Sequence, residues 1–272
     1  VGGMGSAMQG GKFGHGFLSA GVSAQLSPKI QSNVGDAHVR VAIHAAIGGT
    51  VSKVTGGKFA NGAYSAAFAA AMSADIQAGR KPTPQEITYA KLAEGVYDLN
   101  FKGADGYTKV GDTFIDKDTG LQAALFSDKV SGHSVLAFTG TNDGSDWIAN
   151  IHQAFGLESA QYTQALGMAQ TVYANTGGNV HFVGHSLGGG LAAASAIVTG
   201  GGATIFNAAG VHSNTVGGLV PAAGSITHFR SSFDVLQTVN ALTPARVYGE
   251  QVSLGAAGWH PMAGVCRAMG CY

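Results

Sequence analysis

Residues 180–196 read VHFVGHSLGGGLAAASA and contain a Gly-x-Ser-x-Gly pattern built on Gly184, Ser186 and Gly188. The pattern alone means little, because 43 of the 272 residues are glycine and such a composition yields about 0.5 patterns of this kind by chance. Its surroundings are more informative. The β-branched and aromatic run before the serine predicts a buried strand, and the Gly/Ala-rich run from Leu187 predicts a closely packed helix. A strand, a tight turn and a helix together expose a nucleophilic serine at the end of a strand.

The region around this stretch alternates strands with helices. An amphipathic spacing predicts a first helix in QEITYAKLAEGVYD, which begins at Gln85. The predicted strands are 121–127, 133–140, 179–184, 202–210, 225–233 and 246–254, and the further predicted helices are 161–177 and 187–200. This alternation predicts an α/β fold with a mostly parallel central sheet.

A serine hydroxyl becomes a good nucleophile only when a base takes its proton and a carboxylate orients that base. In folds with this turn the chain order is serine, acid, histidine. After Ser186 the chain has one aspartate, Asp234, and one glutamate, Glu250, and the one histidine after Asp234 is His260. The order therefore predicts a triad of Ser186, Asp234 and His260. Three other histidines fit this order less well. His185 is expected to pack beside the motif, and His212 and His228 precede the aspartate.

Acyl transfer also needs donors for the oxyanion. The backbone N–H of Leu187, directly after the nucleophile, is the first candidate. Thr141 is the second, because it follows the predicted strand of residues 133–140 at a Gly-Thr junction.

The combination of VLAFTGTNDGSDWIANI (135–151) with VHFVGHSLGGGLAAASA resembles the class 3 lipases. In that family a strand ending in Arg-Gly-Thr or Arg-Gly-Ser leads into an Asp-Trp or Asn-Trp helix, and the nucleophile sits in Gly-His-Ser-Leu-Gly-Gly. The resemblance implies an α/β-hydrolase fold and ester hydrolysis on lipids through an acyl-enzyme. It also implies the roles of the residues that match the family motifs, namely Ser186 as nucleophile, Thr141 and Leu187 as oxyanion donors, and Asp234 and His260 as acid and base.

The chain departs from the family at two motifs. Thr139 stands where the family has arginine before Gly-Thr, and the FDVLQ segment around Asp234 lacks the family's proline. These departures concern the lid and the range of substrates more than the chemistry. Residues 145–157, SDWIANIHQAFGL, place Trp147, Ile148, Ile151 and Phe155 on one face of a helix. Such a helix is either an ordinary core helix or a lid that opens at a lipid surface.

Residues 1–80 differ in character from residues 84–272. They are rich in Gly and Ala, and GGKFGHGFLSAGVSA from Gly10 is echoed by GGKFANGAYSAAFAA from Gly56. We expect a small, helical region. The stretch of residues 36–54 predicts a helix that is ended by Gly48 and Gly49. The GGKFANGA signature is similar to segments that precede the C-terminal toxin domains of filamentous-haemagglutinin and Rhs-type bacterial exoproteins. That resemblance implies secretion as part of a larger protein, delivery to a target cell, and a cognate immunity protein.

Composition limits the other functions. Fifteen basic residues balance fifteen acidic ones and form no run, which argues against nucleic-acid binding. The sequence predicts no metal site and calls for no cofactor. Cys266 and Cys271 are close enough for a small disulfide, but the sequence suits two free thiols equally well.

The leading hypothesis is a serine carboxylester hydrolase that attacks membrane phospholipids as a phospholipase A1-type antibacterial toxin, in a domain formed by residues 84–272. One alternative is a short-chain esterase or thioesterase with a soluble substrate. Another is a non-catalytic module in which residues 1–80 insert into membranes.

Overall fold

The computed structural model of the chain describes residues 80–140, 160–231, 245–255 and 261–272, together with positions 43, 46, 47, 50, 234, 236 and 240. The chain divides into two compact units, Val1–Gln77 with Gln237–Leu242, and Ala78–Leu236 with Thr243–Tyr272. Every strand described below belongs to the second unit. The expected division into domains 1–80 and 84–272 stays a prediction.

The first unit has helical backbone at its described positions Ile43, Ala46, Ile47, Thr50 and Asn240. The Thr50 hydroxyl donates to the Ala46 carbonyl at 2.9 Å, one helical turn earlier. The expected helix end at Gly48 and Gly49 lies outside the described residues.

Four helices and eight strands make up the described part of the second unit. The helices are α1 (Pro84–Gly95), α2 (Ala160–Asn175), α3 (Leu187–Thr199) and α4 (Met262–Met269), with a short 3₁₀ turn at Ser213–Val216. The strands are β1 (Gly103–Ala104), β2 (Tyr107–Ile115), β3 (Gln122–Asp128), β4 (Ser134–Phe138), β5 (Val180–His185), β6 (Gly202–Phe206), β7 (Ile226–Arg230) and β8 (Glu250–Ser253).

The strands form one sheet in sequence order, β1 to β8. The pairs from β1 to β4 are antiparallel, and the pairs from β4 to β8 are parallel. Because parallel crossovers are right-handed, the consecutive order puts α2 and α3 on the same face of the sheet. The predicted α/β class with a mostly parallel sheet is confirmed.

Both faces of the sheet carry a hydrophobic core. On one face, α2 and α3 cover a cluster that includes Leu136, Phe182, Leu191 and Ile205. On the other face, α1 and α4 contribute to a cluster that includes Leu92, Phe126, Phe206, Phe229 and Val265. The helices packed on both faces of the sheet fix the ends of the parallel strands, where the predicted nucleophile lies.

The start of α1 is capped by the linker before it. The Thr83 hydroxyl accepts from the Glu86 N–H at 3.3 Å, and the Glu86 carboxylate accepts from the Thr83 N–H at 2.8 Å. Arg80 donates to both oxygens of the same carboxylate, at 2.8 and 2.6 Å, and to Glu250 at 3.3 Å. Pro84 occupies the first turn, where its missing N–H costs nothing.

Helix α4, near the end of the chain, was not predicted from the sequence patterns and carries Cys266. Cys266 forms a disulfide with Cys271, which answers the question that the sequence leaves open. None of the helices in the described ranges is long and apolar enough to cross a membrane. The candidate lid at 145–157 lies outside the described residues.

Candidate active site

Ser186 occupies the sharp turn between β5 and α3 and has a strained backbone, with φ 60° and ψ −128°. This left-handed conformation is unfavourable for a residue with a side chain and persists only where neighbours hold it. Its N–H donates to the Phe206 carbonyl at 3.0 Å, and its carbonyl accepts from the N–H groups of Gly189, Gly190 and Ala209. The turn is thus fixed by β6 on one side and by the first turn of α3 on the other.

The glycines of the motif are required by close backbone approaches. A Cβ on Gly184 would collide with the Gly188 carbonyl, and one on Gly188 would lie 2.6 Å from the carbonyl carbon of Thr139. A Cβ on Gly189 would lie 2.6 Å from the Cβ of Ala208. The backbone around β5 and α3 can therefore pack this closely only because these three positions have no side chains. The Gly-x-Ser-x-Gly-Gly pattern is a structural requirement of the turn, beyond what the glycine-rich composition would produce.

One of the two predicted oxyanion donors, Leu187, lies within the described residues and directly follows Ser186. Leu187 is the first residue of α3, where N–H groups have no partner within the helix and the helix dipole favours negative charge. Gly140 lies so close to the turn that a Cβ there would be 3.0 Å from the Ser186 Cβ and 2.9 Å from the His185 carbonyl oxygen. Thr141 itself lies outside the described residues. Its neighbour Gly140 brings that strand end against the serine.

A tyrosine that sequence reasoning missed joins the two strand ends. The Tyr97 hydroxyl accepts from the Gly140 N–H at 2.7 Å and lies 3.2 Å from Nδ1 of His185. Since the Gly140 N–H is a donor, the phenolic proton is left for the His185 nitrogen. Burial raises the pKa of Tyr97 to about 12, so the hydroxyl stays protonated. His185, as expected, packs beside the turn.

Asp234 is 2% exposed and follows β7 at the same end of the sheet. Its Oδ1 accepts from the Leu236 N–H at 3.0 Å, and its own N–H donates to the Ser231 carbonyl at 3.2 Å. Asn207 holds Ser231 in turn, because its Oδ1 accepts from the Ser231 N–H at 2.8 Å and its Nδ2 donates to the Ser231 hydroxyl at 3.1 Å. Asn207 has φ 41° and directly follows β6. A second strained residue therefore positions the loop that carries the carboxylate.

The other carboxylate after the serine, Glu250, lies at the wrong end of the sheet. It begins β8 opposite Thr227, three residues before Ser253, and parallel strands rise about 3.3 Å per residue. It is exposed and pairs with Arg80. Asp234 is therefore the acid downstream of Ser186 that reaches the end of the sheet with the nucleophile.

The described histidines other than His185 are engaged elsewhere. His228 is buried in β7, where Nε2 accepts from the Ala208 N–H at 3.1 Å and Nδ1 lies 2.9 Å from Oε1 of Gln251. Burial lowers the pKa of His228 to about 3. His133 and His181 lie near the amino-terminal ends of β4 and β5, and Nδ1 of His212 accepts from the Asn214 N–H. The predicted base His260 lies outside the described residues.

Within the described ranges, no group of three or more His, Cys, Asp or Glu side chains is placed to hold a metal ion. The polar groups gathered here are the Ser186 hydroxyl, backbone N–H groups and the Asp234 carboxylate. Together they can support acyl transfer by a serine.

Comparison with known proteins identifies the family. Residues 69–267 match the family model described as "Phospholipase-like: Tle-like phospholipase domain". The chain belongs to this phospholipase family. It is similar to an extracellular phospholipase A1 of Serratia liquefaciens, with 34% identity over 221 residues that cover 70% of this chain and 68% of that protein.

Solved structures of fungal lipases are also similar to this Tle-like phospholipase domain. A triacylglycerol lipase of Penicillium expansum has 16% identity and a TM-score of 0.47, with 62% of this chain and 78% of that chain covered. The Lip2 lipase of Yarrowia lipolytica has 15% identity and a TM-score of 0.48, with 70% and 86% covered.

The family and the sheet together confirm the expected lipase-type α/β-hydrolase fold. The protein is a lipid ester hydrolase. The individual roles of Ser186, Asp234, His260, Thr141 and Leu187 stay predictions.

Proposed function

We propose that this chain is a phospholipase A1-type serine hydrolase that cleaves acyl esters of membrane phospholipids through Ser186. The observation that carries the proposal is the strained serine between β5 and α3, held in a phospholipase-family domain by backbone bonds on both sides. The similarity to a phospholipase A1 supports the choice of ester position.

In the proposed mechanism, His260 takes the proton of the Ser186 hydroxyl as it attacks the ester carbonyl. The buried carboxylate of Asp234 orients the imidazole and stabilises its charged form. The N–H groups of Leu187 and Thr141 donate to the oxyanion of the tetrahedral intermediate. His260 then returns the proton to the leaving lysolipid alcohol, and water releases the fatty acid from the acyl-enzyme by the same steps.

The biological setting is part of the proposal. The relative from Serratia liquefaciens is extracellular, which supports secretion of this protein from a bacterium. The Gly/Ala-rich residues 1–80 support delivery to a target cell as a toxin that degrades its membrane. A producing cell would then need a cognate immunity protein to neutralise the enzyme.

The test compares Ser186→Ala with Ser195→Ala. Ser195 is a buried serine of the same helix whose hydroxyl donates to the Leu191 carbonyl at 2.8 Å, away from the turn. Loss of the nucleophile should lower the rate of ester hydrolysis by about 10³-fold or more, whereas Ser195→Ala should keep the wild-type rate. Mass spectrometry of products from defined phospholipids gives the readout.

Free fatty acid with a 2-acyl lysolipid would support the A1 position. A 1-acyl lysolipid would contradict it, and full activity in Ser186→Ala would overturn the mechanism. Hydrolysis of short soluble esters with no release from any phospholipid would favour the esterase alternative. Loss of toxicity together with activity in Ser186→Ala, when the protein is placed in the target compartment, tests the toxin role.

A further inference from the structure

Large apolar side chains are exposed on and beside β2. Leu99, Val110, Phe114 and Ile115 are 51%, 48%, 39% and 47% exposed. Leu99 and Ile115 also line an open cavity of about 460 Å³ between the segment after α1 and β2. The side chains of Val110 and Phe114 lie on the opposite face of β2, because their partners Leu125 and Ala123 pack in or against the core that α2 and α3 cover. Ile115 pairs with Gln122, and Lys109 pairs with Phe126 of the other core. We call Leu99, Ile115, Lys102 and Lys109, which line the cavity together, the β2 patch.

The strand register puts the Ile115 end of this patch at the end of the sheet where Ser186 lies, whereas Lys109 lies towards the opposite end. Ile115 pairs with Gln122, and the neighbouring Ala123 pairs with Phe138 at the end of β4. Two residues later, Gly140 approaches the Ser186 Cβ. Leu99 likewise lies two residues after Tyr97, whose hydroxyl bonds the Gly140 N–H.

The charges of the β2 patch suit a phospholipid surface. Lys102 and Lys109 both line the cavity beside the apolar side chains. The Lys109 ammonium is held by the Leu99 carbonyl at 2.7 Å and the Thr113 hydroxyl at 3.1 Å, and Lys102 is exposed. Lysines next to exposed apolar groups can bind lipid phosphates while the apolar groups enter the acyl region. Asp112 on the same cavity complements the ammonium of a zwitterionic headgroup.

The backbone of β2 disfavours a protein strand as the occupant. On its outer side β1 pairs only with Tyr107 and Thr108, so within the described strands the rest of this edge has no partner. The register shifts between Val110 and Phe114, with Gly111 at φ 67°. Such a bulge bends the edge and interrupts the regular ladder that an added strand requires.

We propose that the β2 patch docks the enzyme on a phospholipid membrane and so brings the Ser186 end of the sheet to the lipid. The inference rests on the proposed function, because it supplies the surface through which a phospholipase would reach its aggregated substrate. The Leu99 and Ile115 side chains enter the lipid surface, and Lys102 and Lys109 bind phosphates at its boundary.

The test uses the double variant Leu99→Ser/Ile115→Ser with Val130→Ser as its matched control. Val130 is 97% exposed and lies in the turn between β3 and β4, at the opposite end of the sheet. Binding is measured by sedimentation with vesicles of phosphatidylcholine and phosphatidylglycerol, in a Ser186→Ala background so that the lipid is not consumed. Hydrolysis is measured on the same vesicles and on a monomeric short-chain ester, with Ser186 intact.

We expect the double variant to bind vesicles about tenfold or more weakly, because two apolar side chains no longer leave water. Vesicle hydrolysis should fall in parallel, whereas hydrolysis of the monomeric ester should stay at the wild-type rate. Val130→Ser should match wild type in all three measurements.

Wild-type vesicle binding and hydrolysis by the double variant would overturn the docking surface while leaving the proposed function intact. An equal loss of activity on vesicles and monomeric ester would mean that the patch acts through the fold, which also overturns it. A dimer of the wild type that the double variant converts to monomer would identify a second copy as the occupant. A wild-type enzyme that binds vesicles but hydrolyses only the monomeric ester would instead overturn the proposed function.

Discussion

The two ends of the parallel sheet both contain buried polar groups, but they hold them differently. At the amino-terminal end, the His181 ring stacks on Tyr89 with centroids 4.3 Å apart, and Nε2 lies 2.9 Å from the Thr204 hydroxyl. These residues have ordinary backbone conformations. At the carboxyl-terminal end, Ser186 and Asn207 have positive φ values. Buried polar side chains therefore occur at both ends of the sheet, whereas backbone strain held by neighbouring strands lies around the predicted nucleophile.

The largest effect on stability should come from adding a side chain at a motif glycine where the backbone is closely approached. In Gly188→Ala the new Cβ would meet the backbone of β4's end, which cannot rotate away as a side chain can. We expect a loss of about 3 kcal/mol or more in the free energy of unfolding, measured by denaturant titration. Gly167→Ala is the control, because Gly167 is also helical but has open space around it. That change should stabilise the protein by up to about 1 kcal/mol. Equal effects of the two substitutions would show that the crossing is not tight.

Two buried histidines should weaken the fold in acid, His181 at the amino-terminal end of the sheet and His228 in β7. Burial, with a contribution from His133, lowers the pKa of His181 to about 3. The unfolded chain, with a histidine pKa near 6.5, binds this proton first. The contribution of a neutral His181 to stability is therefore complete above about pH 6.5 and is lost as the pH drops from there towards 3.

His181→Gln tests this dependence. Between about pH 6 and 4 the slope of the free energy of unfolding against pH should decrease by about 1.4 kcal/mol per pH unit, because one fewer proton is taken up on unfolding. The measurement is urea unfolding at a series of pH values. An unchanged slope would mean that His181 does not remain neutral in the folded protein.

The smallest effect that still separates the two ends is the loss of one hydroxyl. Tyr97→Phe leaves the Gly140 N–H without the acceptor seen at 2.7 Å. We expect kcat to fall by about 10- to 100-fold with little change in KM, since Gly140 precedes the proposed donor Thr141. Tyr107→Phe is the matched change at the other end, where the hydroxyl lies 2.9 Å from Nδ1 of His133. It should lower stability but leave kcat unchanged, and a similar loss of kcat in both variants would contradict a specific role for Tyr97.

The sequence predicted the strand, turn and helix around Ser186 because this local run combines a β-branched strand, glycines and a helix former. Other strands were placed correctly but too long. The strand expected at 225–233 is Ile226–Arg230, and the one expected at 246–254 is Glu250–Ser253, with Arg246 in a separate bridge to Val211.

Other features could not be found from local patterns. The β1–β2 hairpin lacks clear apolar alternation because β2 exposes much of both faces. The link from Tyr97, just after α1, to Gly140 and His185 spans 43 and 88 residues, and no local spacing around Tyr97 indicates it. Asn207 reaches Ser231 across two neighbouring strand ends, so its position depends on the sheet order.

The capped start of α1 has a practical consequence for preparing the hydrolase domain alone. The linker prolines suggest a cut directly before Pro84, but Arg80 is the residue that forms ion pairs with both Glu86 and Glu250. Its guanidinium also lies 5.7 Å from the centre of the Phe229 ring. A domain trimmed to Pro84 would lose the Thr83 cap and leave the Glu86 carboxylate without its cation. The shortest well-behaved domain should therefore retain Arg80 at its amino-terminal boundary.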